Sequence, residues 1–171
     1  NHESPIRGLE FVTRKVTNLV AKIKVGIADK LVLGNLNSVR DWGYAREYVE
    51  GMWRILQSDK PDDYVIATGE AHSVKTLVKT AFDRVGLDWE KYTVTDTKFL
   101  RPIDVGHLLG DTTKISDNLN WKPQTKFKEL IEKMVDQDLN RWEKCNNGEL
   151  FPWDAPNYPG EHNLITRYKK S

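Results

Sequence analysis

The chain contains 171 residues, and its 26 Lys and Arg residues against 25 Asp and Glu residues give a formal net charge of +1. This balance argues against a dedicated nucleic-acid binder, which concentrates positive charge, and apolar runs of only a few residues argue against a membrane-spanning helix. The single cysteine, Cys145, excludes an internal disulfide and a cysteine-based zinc site. We therefore expect a cytoplasmic globular protein without a nucleic-acid or membrane partner.

The hydrophobic pattern predicts alternating helices and strands. Apolar residues at helical spacing predict helices over residues 8–25, 43–57, 73–86 and 126–142. Ser73 is suited to cap the third of these, and Asp111 to begin a further short helix that ends near Leu119. Short apolar runs predict strands over residues 30–33, 64–67 and 92–95. This alternation predicts an α/β fold, with a main portion at residues 1–145 and a packed tail, rich in proline and aromatic residues, at residues 146–171.

Common catalytic motifs are missing from the chain. It contains no Gly-x-Ser-x-Gly elbow, no phosphate loop, no Gly-x-Gly-x-x-Gly and no Tyr-x-x-x-Lys. None of the four histidines, His2, His72, His107 and His162, has a second histidine four residues later, as a helical metal site would require. We therefore assign no catalytic residue and expect no metal site.

Two arginines lie in segments rich in turn-forming residues. Arg40 lies between a predicted strand and a predicted helix, and Arg101 lies in an irregular segment. A guanidinium offers a planar fork of donors that suits a phosphate group, and a loop before a helix exposes backbone N–H groups to an anion. The alternative for each arginine is a surface ion pair, with Asp41 or Asp104.

The N-terminal residues and one helical lysine also admit two interpretations. Pro5 favours a loop at residues 1–5, whose polar side chains would bond to their own backbone. Lys15 on the first predicted helix would by default be solvated. A ligand contact is the alternative for both.

Eight short motifs follow one another within residues 1–140. They are NHESPIRG (1–8), FVTRK (11–15), LGN (33–35), RDWG (40–43), VIATG (65–69), RP (101–102), LGD (109–111) and WKP (121–123). In this order they resemble the GDP-mannose 4,6-dehydratase family of extended short-chain dehydrogenases. The resemblance implies that the chain is the C-terminal, substrate-binding portion of such an enzyme, with elements that complete its Rossmann half.

The resemblance further implies a two-part enzyme that uses NADP. A larger N-terminal Rossmann portion would bind NADP and carry the catalytic Tyr-x-x-x-Lys pair, so the chain would begin mid-protein at Asn1. The reaction would convert GDP-mannose into GDP-4-keto-6-deoxymannose by internal oxidation and reduction, and the full-length protein would form a homo-oligomer. We expect the isolated chain to self-associate, because it would expose apolar surface that packs against the other portion.

The matching motifs imply roles for individual residues. His2 and Arg7 would contact NADP. The substrate would be held by a set of five residues, Asn1, Lys15, Arg40, Arg101 and Asp104, of which the two arginines would bind the diphosphate. Two positions depart from the family pattern. Ile6 replaces a frequent second arginine. Asp104, which would contact the ribose hydroxyls, replaces a usual glutamate and is one methylene shorter.

Two other functions stay open at this point. One is a related nucleotide-sugar short-chain dehydrogenase, such as a GDP-4-keto-6-deoxymannose reductase or a dehydratase for a different nucleotide sugar. The other is a non-catalytic nucleotide-sugar-binding module. The reaction of the full-length protein separates the first from the dehydratase, and ligand binding by the isolated chain tests the second.

Overall fold

A computed structural model describes residues 1–99 and 105–148, and these residues alternate between strands and helices. The strands are β1 (His2–Glu3), β2 (Leu31–Leu33), β3 (Val39–Asp41), β4 (Gly43–Tyr44), β5 (Ala71–Ser73) and β6 (Thr93–Thr95). The helices are α1 (Val12–Lys24), α2 (Ala45–Leu56), α3 (Val74–Arg84), α4 (Trp89–Tyr92), α5 (Thr113–Leu119) and α6 (Phe127–Asn146), with a 3-10 turn at Thr97–Phe99. The α/β expectation is confirmed.

The strands form three separate pairs. β1 pairs with β4 and β2 with β6, both in parallel, whereas β3 and β5 are antiparallel. The partners come from distant parts of the sequence, as in the register of His2 with Gly43 and of Arg40 with His72. Strands of two or three residues leave little periodicity in the sequence, and β1, β3, β4 and β5 were not predicted from it.

The main core lies between α1, α3 and α6. Its helices bury their apolar stripes against one another and against β2, with Val16, Val20, Phe82, Leu130 and Met134 fully buried. Burying side chains of this size contributes roughly 1.5–3 kcal/mol each, so this three-helix contact dominates the stability of the described residues. All three helices were predicted from their apolar spacing, although α1 begins at Val12 rather than at residue 8, and α6 extends to Asn146 rather than Trp142.

Side-chain caps begin some of the helices. The Ser73 hydroxyl accepts a hydrogen bond from the Thr76 backbone N–H at 3.0 Å, so the predicted cap of α3 is confirmed. Asp111 accepts from the Thr113 N–H at 2.9 Å, one residue before the cap position of α5 at Thr112. Both bonds satisfy N–H groups that have no partner within their own helix.

The predicted strand at residues 64–67 is wrong. The segment forms no ladder, and the Val65 side chain is 53% exposed. Ala67 is buried because Gly110 packs against it, so closely that a Cβ at Gly110 would overlap the Ala67 methyl group. The chain after Ala67 bonds to a side chain, that of Asp41, instead of to a neighbouring strand.

A second, smaller core joins α2 to α5 and the turn after it. Tyr48, Ile115 and Trp121 are buried together, and the Trp121 ring lies so close to Gly51 that a side chain there would press on it. The other side of α2 carries an exposed apolar row at helical spacing, which we call the α2 stripe: Val49, Met52, Trp53 and Leu56. Trp53 is 60% and Leu56 is 80% exposed. Of the expected tail, residues 149–171 lie outside the described residues, so the division at residue 145 stays a prediction.

Candidate functional site

The N-terminal motif lies beside the motif that contains Arg40. The Asn1 side-chain amide donates to the backbone carbonyl of Asp41 at 3.1 Å, and the Gly43 N–H donates to the Asn1 carbonyl at 3.0 Å. The β1–β4 pairing continues this contact with His2 opposite Gly43. Two motifs forty residues apart in the sequence therefore lie side by side in the fold.

Arg40 lies on strand β3, and the expected loop position is wrong. Its guanidinium Nη1 donates to the Val39 carbonyl at 2.8 Å. Successive side chains of a strand point to opposite faces, and accordingly Arg40 is half-buried whereas its neighbour Asp41 is buried. This alternation explains why the adjacent Arg40 and Asp41 side chains have different hydrogen-bond partners.

Asp41 is a structural anchor, whereas its sequence position suggests only an ion pair with Arg40. Its carboxylate accepts hydrogen bonds from the Thr68 N–H at 2.9 Å, the Thr68 hydroxyl at 2.6 Å and the Gly69 N–H at 2.9 Å. Hydrogen bonds to a buried carboxylate are strong because the charge assists them. Asp41 thus fixes the 68–69 turn against the strand that carries Arg40. The sequence signal that could have pointed to Asp41 is its position in the RDWG motif, which is part of the family resemblance.

His2 and Arg7 lie around a buried glutamate. The Arg7 guanidinium stacks on the Phe11 ring, 3.4 Å from its centroid, and its Nε lies 3.5 Å from the Glu3 carboxylate. Glu3 also accepts a hydrogen bond from the Thr13 hydroxyl. Burial raises the pKa of Glu3, against the opposing effects of Thr13 and Arg7. Burial and the nearby Arg7 charge lower the pKa of His2, which favours a neutral imidazole at pH 7.

Lys15 is half-buried rather than freely solvated. Its ammonium lies 4.5 Å from the centroid of the Phe99 ring, a cation–π contact between α1 and the 3-10 turn. Desolvation lowers the pKa of Lys15, because the charged form loses water. The turn at Phe99 leads into the segment with Arg101 and Asp104, and both of those residues lie outside the described residues.

Tyr48 presents a buried phenol beneath β4. Its hydroxyl has no hydrogen-bond partner among the residues that the structure describes. Burial, followed by the charges of Asp41 and Glu3, raises the pKa of Tyr48. A side chain at Gly43 would collide with this ring, so the close packing of β4 on α2 requires glycine there.

The structure therefore forms two groups from the predicted site residues. Asn1, His2 and Arg7 lie with the strand that carries Arg40, and Lys15 lies with the turn that precedes residue 100. Within residues 1–99 and 105–148, no three His, Cys, Asp or Glu side chains cluster as metal ligands would. No helix in the same part of the chain is long and apolar enough to cross a membrane.

Solved structures show a similar fold. RMD from Pseudomonas aeruginosa complexed with NADPH matches with a TM-score of 0.75 at 20% identity, over 82% of this chain and 46% of that one. DesIV, a dTDP-glucose 4,6-dehydratase from Streptomyces venezuelae with NAD and TYD bound, matches with a TM-score of 0.65 at 24% identity, over 86% of this chain and 42% of that one. These likenesses show that the chain shares its α/β fold with a part of each of those two proteins.

Sequence comparison is more specific. "GDP-mannose 4,6 dehydratase 2" of Arabidopsis thaliana is 51% identical over 139 residues, which are 81% of this chain and 37% of the relative. The GDP-mannose 4,6 dehydratase of Homo sapiens is 47% identical over 156 residues, with 81% of this chain and 42% of the relative covered. The chain thus spans less than half the length of these relatives. A model of the family described as GDP-mannose 4,6 dehydratase matches residues 1–134, and the chain therefore belongs to the GDP-mannose 4,6-dehydratase family.

Proposed function

We propose that the chain is the nucleotide-sugar-binding part of an enzyme that converts GDP-mannose into GDP-4-keto-6-deoxymannose with NADP. The observation that carries this proposal is the family match over residues 1–134. The proposal includes a homo-oligomeric full-length protein in the cytoplasm, whose catalytic residues lie in another part of the enzyme. The low net charge of +1 is compatible with it, because a few cations in a pocket are enough for one diphosphate.

The cofactor side of the proposal rests on His2 and Arg7. NADP supplies the hydride acceptor and donor when it is bound. Arg7 fits a phosphate of such a dinucleotide, since the Phe11 ring and the Glu3 carboxylate already hold its guanidinium in one orientation. A fork of donors fixed before binding loses less entropy on binding than a free side chain. His2, whose lowered pKa favours the neutral form, would contribute a hydrogen bond rather than a charge.

The substrate side rests on Asn1, Lys15 and Arg40, with Arg101 and Asp104 proposed from the motifs alone. Arg40 supplies a guanidinium on a strand whose other face is anchored by Asp41. Lys15 is partly desolvated in the ligand-free chain, so a diphosphate would stabilise its charged form and raise its pKa. The chemical contribution of these residues is orientation: they would hold the nucleotide so that the sugar meets the nicotinamide.

The decisive experiment is the reaction of the full-length protein that carries this chain. Incubation with GDP-mannose and NADP+ is expected to give GDP-4-keto-6-deoxymannose, detected by mass spectrometry. No 4-keto product would contradict the dehydratase and favour a related nucleotide-sugar dehydrogenase. Tight calorimetric binding of GDP-mannose to the isolated 171-residue chain would instead favour a non-catalytic binding module.

A substitution tests the assigned role of Arg40. A lost hydrogen bond to a charged group costs about 1.5–3 kcal/mol, which corresponds to an increase of about 10- to 150-fold in KM for GDP-mannose. Arg40→Gln is expected to show this increase. Arg46→Gln, on the exposed side of α2, is the matched control and should leave KM unchanged. Equal KM values for both variants would show that Arg40 does not bind the substrate.

A further inference from the structure

A buried carboxylate in α6 organises two arginines. The Asp138 side chain is completely buried, and it accepts hydrogen bonds from Arg14 Nε at 2.9 Å and from Arg141 Nη1 at 2.9 Å. The Thr17 hydroxyl donates to its other oxygen at 2.7 Å. Both arginines are themselves buried. The carboxylate is thus saturated with donors, and each of its contacts fixes the rotamer of the donor.

The two arginines hold the N-terminal segment with the same guanidinium groups. Arg141 Nη1 also donates to the Pro5 carbonyl at 2.7 Å, and Arg14 Nη1 donates to the Arg7 carbonyl at 3.0 Å. The Arg7 N–H donates to the Ser4 carbonyl at 3.0 Å, and this bond closes a turn over residues 4–7. The carbonyls of residues 5 and 7 are therefore bound by side chains that depend on one carboxylate 131 or more residues away in the sequence.

The arrangement is more than a link between two helices. α1 and α6 already pack through an apolar core, and a buried ion cluster often stabilises a protein no more than apolar residues of the same volume would. What apolar residues cannot supply is a set of donors for two inward-facing carbonyls. The cluster therefore fixes the backbone at residues 5–7 by binding two of its carbonyls. Arg7, at the end of this segment, stacks on the Phe11 ring.

We propose that Asp138 is a positioning residue for the cofactor side of the site. It orients Arg14 and Arg141, these hold the carbonyls of Pro5 and Arg7, and the fixed backbone presents the Arg7 guanidinium to a phosphate of the dinucleotide. The last step rests on the function proposed above, whereas the first two depend only on this chain.

Amide hydrogen exchange of the 171-residue chain tests the first two steps. Asp138→Asn keeps the shape of the side chain and removes its charge. Asp136→Asn is the matched control, because Asp136 lies on the same helix in an exposed ion pair with Arg84. Exchange of the Arg7 amide is expected to become at least tenfold faster in D138N and to stay unchanged in D136N. Equal protection in both variants would overturn the proposal.

NADPH titration of the full-length protein tests the last step. The Kd for NADPH is expected to rise about tenfold or more in D138N, with kcat at saturating NADP+ within about threefold of the wild-type value. A cluster with only a structural role would lower the melting temperature and leave the Kd unchanged below it, and that result would also overturn the proposal. If D138N does not fold, Arg141→Gln, which removes only the bonds of Arg141, takes its place in both experiments. Failure of the wild-type protein to bind NADPH would contradict the proposed function instead, and hydrogen exchange would still decide the positioning role.

Discussion

Replacing Asp41 by asparagine probes the anchor beneath the strand that carries Arg40. The Asp41 side chain is 4% exposed, and its two oxygens accept from the Thr68 hydroxyl and from the N–H groups of Thr68 and Gly69. Asparagine keeps the volume and one acceptor oxygen. Its NH2 group, however, faces one of these N–H donors, so a buried donor loses its partner. Asp41→Asn therefore removes a hydrogen bond without creating a cavity.

The expected loss of stability follows from these bonds. An unsatisfied buried N–H costs about 1–3 kcal/mol, and the bonds that remain become roughly half as strong when the acceptor is neutral. We expect D41N to lower the free energy of unfolding by about 2–4 kcal/mol. Urea unfolding followed by tryptophan fluorescence measures it, since the adjacent Trp42 is buried and reports on this region.

Asp83→Asn is the control for the loss of one negative charge. Asp83 forms an exposed ion pair with Lys79 on α3, and such pairs contribute about 0.3–0.5 kcal/mol. The slope of the free energy against urea concentration should be the same for both variants, because neither changes the surface exposed on unfolding. A loss in D41N within about 1 kcal/mol of the loss in D83N would refute the anchoring role of Asp41.

Three further predictions concern packing, association and desolvation. Gly110→Ala introduces a Cβ that the structure has no room for, and is expected to cost about 1–3 kcal/mol, whereas Gly106→Ala, with nothing near its Cβ, should be neutral in the same unfolding assay. Trp53→Gln removes the largest side chain of the α2 stripe, and sedimentation velocity at tens of micromolar should show less self-association than in the unchanged chain; a monodisperse unchanged monomer would contradict this. Lys15→Met removes a partly desolvated ammonium and should raise the melting temperature of the ligand-free chain at pH 7, whereas Lys24→Met on the exposed end of the same helix should not. Because the pKa of Lys15 is lowered in the folded chain, the destabilisation it causes is fully present below that pKa and disappears as the pH rises towards 10.5, so the two lysine variants should converge at high pH.

The main helices are the part of the fold that local sequence predicts. α1, α3 and α6 were predicted because the buried apolar residues of an amphipathic helix recur every three or four residues along the sequence. The Ser73 cap was also predicted from local sequence, because a serine directly before an apolar stripe can accept a hydrogen bond from a free N–H group in the first turn of the helix. The motif order identified the family, because a series of short motifs is specific even where each one is weak.

The short strands and the buried carboxylates Asp41 and Asp138 could not be predicted from local sequence. β1, β3, β4 and β5 exist because they pair with segments far away in the chain, and the segment at residues 64–67 fails to form a strand because its continuation bonds to Asp41. Asp138 lies on the helix that was predicted, yet nothing in its neighbourhood in the sequence distinguishes it from the exposed Asp136.

The helical core, the α/β class and the family of this chain can therefore be predicted from the order of its residues. The burial of individual charged side chains, the strand position of Arg40, and the contact of Asn1 and His2 with the segment around Arg40 depend on the folded chain. The difference follows from the range of the interactions. Helix formation and capping act within a few residues, whereas burial of a charge is tolerated only where partners such as Arg14, 124 residues from Asp138, satisfy it.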